Sequence, residues 1–188
     1  MRISDVDGDG RQEVLAVRRY TEDQATSATV RQVLSVFAVN SSLQVLRAQQ
    51  LPAEHGQPLL LTSGSFRAGS PEHVIVVTSR AEILCYNHVL GLVWTSTLAL
   101  EVVSPHLHVT AVVTDKPLRK FDEGAVVICA RDQSEHVTRD SGWQCRALDG
   151  RTGAIRWEFN EREDDGAHDT DRQASNWCTL DGGIILYF

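Results

Sequence analysis

Short apolar runs rich in β-branched residues recur along the chain, each closed by polar turn residues. They are Val14-Leu15-Ala16-Val17, Val33–Val39, Val74-Ile75-Val76-Val77, Ile83-Leu84-Cys85-Tyr86, Val109–Val113 and Ala125–Cys129. Their length and composition predict strands rather than helices. The segment Glu22–Gln32 is the best helix candidate. It holds two Thr, one Ser and two Ala, and it lacks an i, i+3, i+4 apolar stripe. It is therefore expected to be a loop or a strand edge.

The runs fall into a repeat. Val33–Leu46, Ile83–Trp94 and Trp143–Trp157 each read as a strand, a polar turn and a second strand, which is a hairpin. An apolar strand precedes each hairpin, and an acidic or Gly-bearing lead-in precedes that strand: Asp9–Glu13, Gly69–His73 and Phe121–Gly124. Val14, Val74 and Val126 are 60 and 52 residues apart. This period suits the blades of a β-propeller, and an evenly spaced β-sandwich is the alternative. The expected fold is all-β, with propeller-type repeats in three to four blades. The units span about 1–50, 55–100 and 105–160, with a further one starting at 174–188 and an acidic loop at 161–173. Propellers close with about 4–8 blades. The chain accordingly reads as a piece of a longer propeller or a truncated product.

Composition narrows the function. The 188 residues carry 18 Lys plus Arg and 25 Asp plus Glu, for a formal charge of −7. The isoelectric point of 5.4 and the lack of basic runs argue against a nucleic-acid binder. No apolar stretch reaches the roughly 18 residues of a membrane span, and the N-terminus lacks the apolar core of a signal peptide. The four Cys form no CxxC. Cys129 and Cys145 flank a polar stretch and could face each other. Two buried free thiols are the expected reading, since a disulfide needs Cα atoms within about 7 Å.

The sharpest chemistry lies in Asp5-Val6-Asp7-Gly8-Asp9-Gly10-Arg11-Gln12-Glu13. Carboxylates at loop positions 1, 3, 5 and 9, with glycines between them, suit a hard cation that takes six to eight oxygens. Asp5, Asp7 and Asp9, the carbonyl of Arg11 and the carboxylate of Glu13 are the expected ligands. Ca²⁺ is the expected cation, with Mg²⁺ or a metal-free acidic turn as alternatives. An EF-hand is excluded, because position 12 is Ala16, inside a β-type run.

This loop and the following Val14-Leu15-Ala16-Val17 resemble the calcium loop and strand of the FG-GAP repeat, which builds the propeller of integrin α subunits. Glu13 stands where that family usually has Asp. Ala147-Leu148-Asp149-Gly150-Arg151-Thr152-Gly153-Ala154-Ile155-Arg156-Trp157-Glu158-Phe159 is similar to the tryptophan-docking repeat of quinoprotein (PQQ-type) propellers. There Thr-Gly makes the turn and Trp docks between blades. The resemblance implies packing roles for Trp157 and for Trp94, which sits similarly in the second unit. The combination resembles the plant "defective in exine formation" type of membrane-anchored secretory-pathway propellers. That implies an extracellular or luminal setting. A protein partner is expected on the propeller face, through loops rather than strands.

Weaker features are His106-Leu107-His108, a metal pair or an exposed edge, and Asp165, Asp169 and Asp171, a second cation site or a solvated loop. Asn40-Ser41-Ser42 is a glycosylation sequon or simply a turn. No catalytic motif is present, and Ser63-Gly64-Ser65 with the scattered His residues composes no triad. The expected function is a non-enzymatic, calcium-binding scaffold module. A quinoprotein-like dehydrogenase fragment is the alternative.

Overall fold

The computed structural model describes residues 1–24, 27–38, 44–98, 107–114, 124–132, 144–160, 177–180 and 183–186. They form three four-stranded antiparallel sheets and a two-stranded hairpin. The first sheet contains β1 (Arg2–Ser4), β2 (Glu13–Gln24), β3 (Ser27–Ala38) and β4 (Gln44–Leu51). The second contains β5 (Pro58–Gly64), β6 (His73–Thr78), β7 (Glu82–Tyr86) and β8 (Leu92–Thr97). The third contains β9 (Leu107–Thr114), β10 (Ala125–Asp132), β11 (Gln144–Asp149) and β12 (Ile155–Asn160). The last hairpin is β13 (Trp177–Leu180) with β14 (Gly183–Leu186). Every sheet is an up-and-down meander in chain order. The first strands β1, β5 and β9 lie side by side with β5 between the other two, a propeller-like arrangement.

The apolar runs explain the stacking. Strand side chains alternate between faces. In β6 and β7, Val74, Val76, Leu84 and Tyr86 face the first sheet and pack with Val6, Leu15, Leu34, Val36 and Leu51. Their neighbours Ile75, Val77, Ile83 and Cys85 face the third sheet and pack with Val126, Ile128, Ala130 and Leu148. The second sheet is thus buried on both sides, so its strands read as continuous apolar runs rather than alternating ones. Val14, Val74 and Val126 all fall on second strands, and the hairpins of the repeat are the third and fourth strands.

One expectation is settled and one is corrected. Of the two alternatives, loop or strand edge, residues 22–24 and 27–32 are strand: they extend β2 and β3 as a long hairpin, paired from Glu13↔Ala38 to Gln24↔Ser27. Cys129 and Cys145 are not free thiols. They sit directly opposite on β10 and β11, with Cα atoms 4.0 Å apart, and form a buried disulfide. Cys85 is a buried free thiol. Among the described residues, no helix is long and apolar enough to cross a membrane. His106, the Asn40–Ser42 sequon and the 161–173 acidic loop with Asp165, Asp169 and Asp171 lie outside the described residues, while His108 is an exposed position of β9.

The β11–β12 turn joins the third sheet to the second. Asp149 Oδ1 accepts the N–H groups of Arg151 (3.1 Å) and Thr152 (2.9 Å) and the Thr152 hydroxyl (2.8 Å). Arg156 pairs with its other oxygen at 3.2 Å. Asn87 does the same in the β7–β8 turn, accepting from Val89 and Gly91. Burial pushes the Asp149 carboxyl up. The hydrogen bonds from Thr152 and the Arg156 guanidinium outweigh this and hold it below the usual carboxylate value. Its contribution is therefore complete above the unfolded-state pKa near 3.9 and lost as pH falls through the lower folded value. Asp149→Ala should cost about 1–2 kcal/mol at pH 7. In urea titrations that cost should shrink as pH falls below about 3.9. A penalty that stays constant with pH would contradict the ionised turn.

Candidate metal centre

The β1–β2 turn carries the Asp loop, and the local chain explains its shape. Val6 is fully buried in the core between the first and second sheets. This anchor turns its neighbours Asp5 and Asp7 the other way, along the loop. Gly8 and Gly10 take φ of 78° and 86°, which side-chain-bearing residues rarely adopt. Asp5 then accepts both of their N–H groups, Gly8 on Oδ1 at 2.9 Å and Gly10 on Oδ2 at 3.0 Å. Glu13, at the start of β2, is only 4% exposed and accepts the Val6 N–H at 2.8 Å.

Asp5, Asp7 and Glu13 each bring one carboxylate oxygen within 4.8 Å of the others. Asp9 and Arg11 occupy the exposed arm of the turn, where Asp9 Oδ1 accepts the Arg11 N–H at 2.8 Å. The structure thus brings three of the expected side chains together and leaves Asp9 outside that triad. Burial pushes the Glu13 carboxyl above its ordinary value against the Val6 N–H, and the charges of Asp7, Asp9 and Asp5 add to the rise. Positive charge supplied at the cluster would oppose that rise and favour the ionised carboxylate.

The donor set passes a direct test of fit to a hard cation. Asp7 Oδ1 is shut off from solvent and has no hydrogen-bond partner. An orphaned buried carboxylate oxygen costs several kcal/mol in principle, and a bound cation removes that cost. The oxygens of Asp5 and Glu13 retain lone pairs beyond those the backbone uses. The corresponding β5–β6 turn of the second sheet is built differently. There the Ser65 and Ser70 hydroxyls lie 2.7 Å apart and Ser70 donates to the Arg67 carbonyl, so neutral groups close the turn.

Three residues that the sequence reading passed over complete the surroundings. Glu72 accepts the Ser4 hydroxyl and donates its N–H to the Val6 carbonyl at 2.9 Å, tying the Asp loop to the second sheet. Arg47, on β4, places Nη2 3.6 Å from Asp7 Oδ2. Residues 68 apart carry no local signal of contact. Only the repeat, by placing both turns at the same point of successive sheets, could have hinted at it. No known family model matches the chain, and comparison with curated proteins finds no match.

Proposed function

We propose that this chain is a non-catalytic β-propeller-type module whose first inter-strand turn holds Ca²⁺, and that it acts as a scaffold for a protein partner. The observation that carries the reading is the solvent-excluded, unpartnered Asp7 Oδ1 beside Asp5 and Glu13. Asp5, Asp7 and Glu13 would hold the cation, with Asp9 and the Arg11 carbonyl closing the exposed side. The cation would neutralise the carboxylate cluster and fix a turn that is hydrogen-bonded to the second sheet. The three stacked meanders support a propeller architecture, and the loops at the sheet ends offer its binding surface. The resemblance to FG-GAP repeats points the same way.

The buried Cys129–Cys145 disulfide supports an oxidising compartment, extracellular or luminal, where millimolar Ca²⁺ fills even a weak site. Trp94 packs between sheets with its indole N–H engaged, which supports a packing role rather than cofactor stacking.

Thermal unfolding of the 188-residue chain tests the cation. Saturation at 100 times the dissociation constant adds about 2.7 kcal/mol, worth roughly 5–10 °C in a chain of this size. Ca²⁺ should raise the midpoint by that amount over chelator, and Asp7→Asn should abolish the rise. Identical midpoints in Ca²⁺ and chelator for the wild type would overturn the proposal.

A further inference from the structure

Arg47 and Asp7 are an imperfect pair. Their closest approach is 3.6 Å, longer than the roughly 2.7–2.9 Å of a charge-assisted hydrogen bond. Each also leaves a second atom unmatched: Asp7 Oδ1 and Arg47 Nη1 are both buried without a hydrogen-bond partner. A guanidinium docked on a carboxylate would use both of its forked N–H groups on both oxygens. Here the fork is brought to the rim of the acidic cluster and stops short of closing on it. The placement is not incidental to an exposed side chain, since Arg47 is about a third exposed on a strand whose neighbouring positions are mostly more open. Its strand partner, Val36, is fully buried in the core facing the second sheet. The stem of Arg47 is therefore held along that side of the sheet.

We propose that Arg47 is the resident counter-charge of the Asp5–Glu13 turn, partnering Asp7 when no cation is held and setting the affinity of the site by opposing a divalent cation when one binds. This inference rests on the cation reading above. The charge argument is direct. The turn gathers the carboxylates of Asp5, Asp7, Asp9 and Glu13 within nine residues, three of them within 4.8 Å of one another, and like charges held so close repel. A guanidinium at its edge relieves part of that repulsion in the metal-free chain. The same positive charge repels an incoming divalent ion held on the other side of Asp7. Arg47 thus stabilises the turn without metal and weakens its grip on metal. It is a positioning residue and an electrostatic competitor, not a ligand.

Calorimetric titration of the full chain with CaCl₂ tests this in the wild type, Arg47→Gln, Arg47→Met and Arg47→Lys. Removing one positive charge a few ångströms from a partly screened divalent site should tighten binding about tenfold. Arg47→Gln and Arg47→Met should both show that gain, and both should melt below the wild type in chelator. Arg47→Lys keeps the charge and should stay within about threefold of the wild type. Equal or weaker Ca²⁺ binding by Arg47→Gln and Arg47→Met would overturn the inference while leaving the site standing. Failure of both to fold in saturating Ca²⁺ would make Arg47 a packing residue and would also overturn it. Absence of Ca²⁺ binding by the wild type would instead remove the cation reading itself.

Discussion

Trp94→Ala is expected to cost about 3–5 kcal/mol, a large share of the stability of a domain. The side chain is 7% exposed and fills the space between the second and third sheets. Its indole N–H donates to the Gly150 carbonyl at 2.9 Å, across 56 residues of sequence. Its ring lies against Gly153, where an added Cβ would meet the ring at 2.6 Å. Gly153 is also at φ 69°, so the turn requires glycine for two separate reasons. Alanine at 94 would open a cavity and strand a buried carbonyl together. Phenylalanine would keep much of the apolar area and lose only the bond, at about 1–3 kcal/mol. Urea unfolding followed by far-ultraviolet circular dichroism should rank wild type above Trp94→Phe above Trp94→Ala. A loss below about 1 kcal/mol for Trp94→Ala, against the cavity expectation, would mean that the two sheets do not meet at this residue.

Loss of the Cys129–Cys145 bond is the second large effect. The cross-link closes a loop of 16 residues, which in the chain-entropy model is worth about 3 kcal/mol. Replacing both residues by serine should lower the denaturant midpoint accordingly. The buried hydroxyls add their own desolvation cost unless they find partners. Alkylation with peptide mapping gives an independent readout. Cys129 and Cys145 should resist iodoacetamide in the folded and in the unfolded, unreduced chain. Cys85 should react only on unfolding, because burial pushes its thiol up to about 12. Labelling of Cys129 and Cys145 without reductant would show that the bond is not formed.

The strands that sequence reading placed well were those with β-branched runs, such as Val74–Val77 and Ala125–Cys129. Burial on both faces there demands apolar residues at every position. The first strands of the first and second sheets were harder. Of these, β1 spans three residues, and β5 opens on Pro58 and a leucine run that suits helix or strand equally. The arms of β2 and β3 beyond Tyr20 and before Gln32 stay open between loop and strand edge for a different reason. Their polar composition carries no period, and each is held in strand form by pairing with the other. Cys129 and Cys145 could be named as a pair from their flanking positions, but the bond itself depends on one register step: Cys129 faces Cys145 only as β10 and β11 pair. The site divides similarly. The Asp-x-Asp-x-Asp-Gly spacing exposed the loop, since its carboxylates are local. Glu72 and Arg47 reach it from distant parts of the chain, and no spacing rule describes them.

The connectivity of the sheets has a kinetic consequence. In each sheet, strands that pair are consecutive in the chain. None of these ladders waits for a distant segment to return, so loop-closure entropy is met in small steps. Each meander can zip up as its own strands become available. Docking of one finished meander on the last then becomes the slower, cooperative event. Stability in such an array is set by nearest-neighbour interfaces, so a weak link between two sheets divides the chain into separately melting parts. The Asp loop and Trp94 sit on the two successive links, one between the first and second sheets and one between the second and third. Between them they decide whether the array opens all at once or one sheet at a time.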